Sequence, residues 1–487
     1  MRSFAATQHL ADLPWLWSFS STCFVIPIVQ QLLNCERGLA AHLVGEEIQS
    51  GRCQLAANKA GPVRIDTRPF PTGRGCCCCL DVTRFVNKHL KSPEPWYGVR
   101  IPVPQAPEPT IAATQERPAP TPTPATAPAT TAGTPRRRDF ELKPFIASSN
   151  WVAAWQVANT LVPYGLLWWL AVVCLRQGSW LLLPVLGLMV LFLARCFTLM
   201  HDCGHHSLFR QATSNRCIGF LLGIVAGIPQ LPWSRGHAFH HRHNGNWERY
   251  KGPSALVSVD TYNSYSHRGK AFYRLLRHPL MLVPGGFFYL VIKPRLELLA
   301  GLVPHLLTSL RQSPVPSWPE IVASHKSRWW HSPEEFRDLV FNNLAVLASW
   351  IGMAWWLGAG TFWLIYAPVM ACAAAIFICI FFVQHNFPGS YAHASEDWQA
   401  MDGTMHGTSD LELPALLNWF SADIGCHAIH HLCEAIPNYR LQACQQRNAH
   451  LLTGVTRLRL RDIPSCFDYI LWDQKGGTLT TVAALPG

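Results

Sequence analysis

The chain has 487 residues, 49 % of them apolar and only 14 % charged, against roughly 25 % charged in an ordinary soluble protein. That balance excludes a set of small soluble domains and favours one polytopic membrane domain. The formal charge of +11 comes without any nucleic-acid-binding motif, so an anionic membrane surface is the simpler partner and nucleic acid is not expected.

Residues 1–140 differ from the rest. An apolar stretch at 13–33 reads as a signal-like segment or a buried helix, and a cysteine run occupies Cys76 to Cys79. The 17 cysteines show no paired metal-finger spacing and read as free thiols in a reducing compartment. From Pro102 to Pro135 the chain is dense in Pro, Ala and Thr, a composition that cannot build a core and predicts a disordered extension. Domain boundaries are therefore set at 1–140, at 141–470 for a membrane domain, and at 471–487 for a C-terminal tail.

Four long apolar segments follow Arg136 to Arg138: residues 151–174, 180–197, 339–357 and 361–384. Each approaches the roughly 20 residues needed to cross a bilayer as a helix. Their short connections, 175–179 and 358–360, predict two hairpins. The segment 198–335 carries fifteen Lys or Arg, whereas the two connections carry only Arg176. Positive segments stay inside. The expected fold is thus all-α, with four transmembrane helices in two hairpins under a cytoplasmic helical cap. Both termini lie on the cytoplasmic side. Two shorter apolar stretches, 218–232 and 280–292, contain Gly and Pro and read as re-entrant or interfacial pieces.

The 22 histidines are not scattered. His201-Asp-Cys-Gly-His205-His206 follows the second segment. His237-Ala-Phe-His240-His241 comes next, with His243 and Asn244 just beyond. His427-Ala-Ile-His430-His431 comes last, and His385 follows the fourth segment. Residues three and four apart share a helix face. Each cluster therefore aims two or three imidazoles at one point, where neutral imidazole binds iron, zinc, copper or nickel. The second segment, run on to Met200, would be about 31 Å long at 1.5 Å per residue, which delivers His201 to the membrane face. Eight or nine ligands are too many for one ion, so two are implied. The soluble di-iron arrangement with Glu-x-x-His is absent from the chain. An all-histidine pair of irons remains, and two zinc ions stay open on spacing alone.

The runs HDCGHHSLF, WSRGHAFHHRHNGNWERYKGP and ADIGCHAIHHLCEAIPNYRL resemble the three histidine boxes of the membrane-bound fatty-acid desaturases. The form is nearest the acyl-lipid desaturases of the omega-6 and omega-3 kind, and the likeness covers roughly residues 140–470. It implies metal ligands at His201, His205, His237, His240, His241, His427, His430 and His431, with His385 as an additional one. It also implies two iron ions, O2 as co-substrate, a long acyl or lipid substrate and an external electron donor, ferredoxin or cytochrome b5. No fused haem-binding His-Pro-Gly-Gly motif is present. Asp202, His206, His243, Asn244, Asn386 and Asp423 are candidates to hydrogen-bond the ligands. A hydroxylase built on the same site is the enzymatic alternative. A metal transporter is the alternative of another class, although transport sites sit near the bilayer midplane and these clusters do not.

Overall fold

The computed structural model describes residues 134–485, apart from 253–254 and 325–328. The apolar stretch at 13–33, the cysteine run and nearly all of the Pro-rich segment lie outside the described residues. The described part is mostly helical.

Helices α1 (Asn150–Arg176) and α2 (Leu182–Gly204) form a first hairpin. Then α3 (Ala212–Ala226) and α4 (Gln230–His243) meet at a 99° bend. After β1 (Val257–Ser258) come α5 (His267–Leu276), α6 (Leu282–Phe287), a π turn at Phe288–Ile292 and α7 (Lys293–Ser309). A second hairpin joins α8 (Pro333–Leu357) to α9 (Ala359–Val383). The helices α1, α2, α8 and α9 are long and apolar enough to cross a membrane. In α2 and α9 half of the most apolar window is buried, against 28% in α1 and 22% in α8. The inner pair therefore carries the core, and the outer pair turns apolar side chains such as Trp155, Leu166, Ile351 and Trp355 outward.

The two short apolar stretches fold as bent helix pairs. A bend frees backbone groups that an apolar surround cannot satisfy. Gly227 ends α3 with φ of 76°, and the N–H groups of Gly227 and Ile228 return to the carbonyls of Ile224 and Gly223 at 3.2 and 2.9 Å. This is the six-to-one, five-to-two closure that favours glycine. Arg295 of α7 donates to the carbonyls of Gly227 and Leu290 at 2.7 and 3.1 Å, and further groups are met by one face of α8. Asp338 accepts the N–H of Leu231 at 3.0 Å, Asn342 donates to the Ile228 carbonyl at 3.2 Å, and Asn343 donates to the Pro294 carbonyl at 3.4 Å. The start of α8 is itself fixed by Ser332, whose hydroxyl accepts the Glu335 N–H at 3.2 Å with Pro333 in the first turn, a strong helix-start combination.

Residues beyond α9 form a cap. It contains β2 (Ser409–Glu412), α10 (Ala415–Phe420), α11 (His427–Leu432), α12 (Asn438–Arg447), β3 (Thr456–Arg459), β4 (Leu471–Asp473) and β5 (Thr478–Thr480). β2 and β3 pair in parallel, Ser409 opposite Thr456. β1 pairs in parallel with β4, which pairs antiparallel with β5.

Four expectations shift. The fold is not purely α, because the cap needs two small sheets built from segments far apart in sequence. The second apolar helix does not stop at 197 but continues to Gly204, which keeps His201 inside its last turns. The expected tail from 471 onward is part of the cap, with Leu471, Trp472 and Leu479 buried. At the other end Phe140 and Leu142 join a buried cluster with Ile429, Leu432 and Leu441, so the packed body starts before residue 141.

Helix α6 lies against α9 at Gly286. A Cβ there would meet the Ala374 Cβ at 2.8 Å and two backbone atoms at 3.0 Å, so the two helices can approach only because residue 286 has no side chain. Gly286→Val is expected to destabilise the folded protein by about 1–3 kcal/mol through overpacking. Gly352→Ala, where nothing lies within 4 Å, is expected to be neutral or slightly stabilising. Thermal unfolding in detergent, followed by retention of the monodisperse species, compares the two.

Candidate metal centre

Four segments deliver nine imidazoles to one place. The last turns of α2 bring His201 and His205. Helix α4 brings His237, His240 and His241. His385 follows α9 by two residues, and α11 brings His427, His430 and His431. They sort into two groups. The nitrogens of His201, His205, His237, His241 and His430 all lie within 4.8 Å of one another, and so do those of His240, His385, His427 and His431. The sorting follows helix geometry. In α4 the i and i+4 residues serve the first group and i+3 the second. In α11 the i and i+4 residues serve the second group and i+3 the first. The two HxxHH motifs are thus used reciprocally.

Ring nitrogens face each other across unusual gaps. Nε2 of His237 is 2.9 Å from Nε2 of His201 and 3.0 Å from Nε2 of His241. In the second group, Nε2 of His240 and His431 are 3.1 Å apart, and Nε2 of His427 and His385 are 3.0 Å apart. One neutral imidazole has one N–H, so His237 cannot satisfy two facing lone pairs at once. Nε2 of His205 and Nε2 of His430 are buried with no hydrogen-bond partner among the described residues. Burial pulls the pKa of His237, His240, His241, His427, His430 and His431 well below the ordinary imidazole value, and the neighbouring imidazoles lower it further. Burial brings His385 down to about 4. Neutral, inward-facing, unpartnered imidazoles are what a bound cation requires. Two nitrogens each roughly 2.1 Å from one ion stand roughly 3.0–3.4 Å apart between right-angle and tetrahedral arrangements, so gaps of 2.9–3.1 Å suit imidazoles that share an ion.

The outward nitrogens of His201, His205 and His385 have acceptors, whereas Nδ1 of His240, His241, His427 and His431 are buried without a hydrogen-bond partner among the described residues. Asp202 Oδ1 lies 3.0 Å from Nδ1 of His201, and its other oxygen accepts the backbone and side-chain N–H of Asn438 at 3.0 and 2.8 Å. Glu434 Oε2 lies 3.1 Å from Nδ1 of His205 and 3.9 Å from Nδ1 of His241. The Gly407 carbonyl accepts Nδ1–H of His385 at 3.0 Å. Such partners fix the tautomer that leaves Nε2 free for a metal. Asp410 works one step further out. Its Oδ1 accepts the Ala428 N–H at 3.0 Å, which anchors the first turn of α11, and burial raises its carboxyl to about 6.

The other residues expected around the ligands are spread more widely. Asn244 donates to the carbonyls of Gly403 and Gly407 at 2.7 and 3.1 Å, so it reaches His385 only through Gly407. Asn386 donates to the Tyr469 carbonyl at 3.1 Å, and Asp423 accepts from Asn418. His243 turns back to the Phe239 carbonyl at 3.0 Å, and neither it nor His206 belongs to either group. Glu434 and Asp410 were not anticipated. Glu434 stands four residues after His430, within the third quoted run. Asp410 carries no local signal, because its partner is seventeen residues or more away.

A cavity of about 290 Å³ ends on His201, His237 and His427. Its walls are almost wholly apolar, with Phe197, Trp233, Phe377, Ile380, Leu417 and Phe420 prominent. It extends along α2 from His201 back to Leu191, about 15 Å at 1.5 Å per residue. Arg195, buried in the same helix, lies 4.0 Å from the Trp419 ring and donates to that residue's carbonyl, with Thr160 3.2 Å from its Nε.

The sequence model of the family described as fatty acid desaturase matches residues 177–459, more than half of the chain. A Bacillus subtilis (strain 168) protein named fatty acid desaturase is 29% identical over 332 residues, 68% of this chain and 86% of that protein. A Delta(12)-acyl-lipid-desaturase of Punica granatum is 24% identical over 274 residues, 54% of this chain and 64% of the relative. An sn-1 acyl-lipid omega-3 desaturase (ferredoxin) of Nostoc sp. (strain 36) is 25% identical over 269 residues, 54% of this chain and 66% of the relative. The chain therefore spans a little less than two thirds of the last two.

Glu434 supplies the proton acceptor for His205 from a half-exposed position. Glu434→Gln should keep the fold and weaken divalent-ion affinity by roughly 10–100-fold, the usual cost of losing a carboxylate behind a metal-binding imidazole. Titration of stripped protein with Fe(II) or Co(II) under anaerobic conditions measures it, and an unchanged affinity would show that the Glu434–His205 contact does not support the site.

Proposed function

This chain belongs to the fatty acid desaturase family, and we propose that it introduces a double bond into a long acyl group of a membrane lipid, using O2 and two irons. The observation that carries this reading is the meeting of two interlocked all-histidine groups with the end of an apolar cavity. His201, His205, His237, His241 and His430 would hold one ion, and His240, His385, His427 and His431 the other. The irons, when bound, supply the oxidising power for removing two hydrogens from adjacent methylenes, which no acidic or basic side chain can do. The chain's own residues prepare that step. Asp202, Glu434 and the Gly407 carbonyl hold the Nδ1 protons of His201, His205 and His385 outward. Trp233 stacks on His237 with ring centroids 4.8 Å apart and, with Phe377 and Phe381, forms an apolar wall that keeps water from the reacting carbons.

Electrons come from a separate protein in this reading, ferredoxin or cytochrome b5. The name of the Nostoc relative supports the first. Both chain termini and the histidines lie on the cytoplasmic side. Arg136 to Arg138 and the fifteen basic residues of 198–335, set against Arg176 alone in the hairpin connections, support that orientation.

The decisive experiment joins metal analysis to product analysis. Purified protein should carry close to two irons per chain, and a host expressing it should gain an unsaturated fatty acid in its lipids by gas chromatography. His240→Ala or His430→Ala should abolish the product while the protein still enters the membrane. Stoichiometric zinc in active protein, or a hydroxylated product in place of the alkene, would overturn the proposal.

Residues 1–133 are proposed to be dispensable for the chemistry. A chain starting at Thr134 keeps Arg136 to Arg138 and the buried Phe140 and Leu142, so it should insert and form product at matched membrane levels. A chain starting at Ser148 should lose both, because Phe140 and Leu142 pack against the cluster that contains Ile429 and Leu432 of α11. Immunoblots of membranes beside fatty-acid profiles separate the two variants.

A further inference from the structure

A second cavity, of about 430 Å³, reaches the histidines from another side, at His237 and His240. It shares Trp233, His237, Phe377 and Phe381 with the apolar cavity, so an aromatic waist of the same side chains stands between the two beside the metal groups. Its character is different. Arg235, Tyr250, Tyr289, Lys293 and Glu297 line it. Both of its cations are already paired. Arg235 Nε lies 2.8 and 2.9 Å from the two carboxylate oxygens of Glu335, and Lys293 Nζ lies 2.7 Å from Glu297. Each cation has its charge already balanced by a carboxylate, so a phosphate or free carboxylate entering the cavity would meet no net positive charge to offset its own desolvation. An uncharged ester requires no such offset. It needs only a donor, and Tyr250 offers one. The Tyr250 ring packs 4.8 Å from His240, it lines the cavity, and its hydroxyl makes no hydrogen bond among the described residues.

We infer that this second cavity is the subsite for the ester-bearing end of the acyl group, with the Tyr250 hydroxyl donating to an ester oxygen of a glycerolipid. The acyl chain then runs past the waist of Trp233, Phe377 and Phe381 into the apolar cavity, methyl end first. This rests on the desaturase reading and specifies how that site holds its substrate. The Lys293–Glu297 pair acts as a filter: it keeps the polar end of the passage neutral overall and disfavours anionic acyl carriers.

The test uses the full iron-loaded chain in nanodiscs without reductant, and reads equilibrium binding of monooleoylglycerol, oleate and oleoyl-CoA. Wild-type protein should bind the glycerol ester most tightly. Tyr250→Phe should weaken that binding by about threefold to tenfold, the worth of one neutral hydrogen bond, with iron content and melting temperature unchanged. In turnover the loss should fall on KM more than on kcat. Glu297→Gln leaves Lys293 without its carboxylate, so oleate should bind at least threefold more tightly than to wild type. Tighter binding of oleoyl-CoA than of the ester by wild type, or ester binding to Tyr250→Phe that equals wild type, overturns the inference. If either occurs while wild-type cells still make unsaturated product, the subsite is wrong and the desaturase reading stands. If wild-type cells make none, the reading itself falls.

Discussion

Two imidazole nitrogens facing each other across 3 Å share at most one proton, and a third nitrogen aimed at the same point has nothing to bind. The structure holds several such contacts at once, inside a body where burial opposes protonation. Cations at the two foci would satisfy that arrangement, and the rest of the fold is the framework that keeps the nitrogens there. The inner helices α2 and α9 bring His201, His205 and His385 to a common level. The bend after α3 swings α4 across them. The cap closes over the top with α11, whose first turn is anchored on Asp410 from a β-strand. Asp202 and Glu434 each accept an imidazole proton, and Asp410 fixes backbone that carries imidazoles.

Much of this was legible in the sequence for definite reasons. Four apolar runs, two short connections and the i, i+3, i+4 spacing are local signals, and local signals survive without coordinates. The grouping of nine histidines by four segments followed from ends of helices on one side of the chain's hairpins. What the sequence hid was contact over distance. Glu434 meets His205 more than two hundred residues away, Asp410 meets Ala428 across the cap, and the acceptor for His385 is a main-chain carbonyl that no residue type announces. Asn386 and Asp423 show the opposite error, because closeness to a ligand in the chain does not set where a side chain turns. The small sheets were missed for the same reason. Their strands are two to four residues long and pair β1 with β4 across more than two hundred residues, too short and too distant for any periodic pattern.

The outer helix α8 carries none of the nine histidines, yet it supports the segment that carries three of them. Broken helices are tolerated in an apolar setting only where something else meets the freed backbone groups. Asp338, Asn342 and Asn343 do so from one face, reaching Leu231, Ile228 and Pro294. The orientation of α4, and through it the aim of His237, His240 and His241, therefore depends on a polar stripe in a helix that otherwise faces outward. The same element supplies Glu335 to Arg235 at the rim of the second cavity.

The reciprocal use of the two HxxHH motifs has a thermodynamic consequence. Because α4 and α11 each contribute to both groups, neither focus can be ordered without ordering most of the other. A cation at one focus immobilises the helices that carry three of the four imidazoles at its neighbour, so the conformational entropy lost in the first event is largely not lost again in the second. Were both foci to take cations, this shared ordering would act in favour of the second and against the singly loaded species, in opposition to the repulsion between the two charges. The shared helices would thus bias the site against a half-loaded form, in which one ion would stand alone beside the apolar cavity.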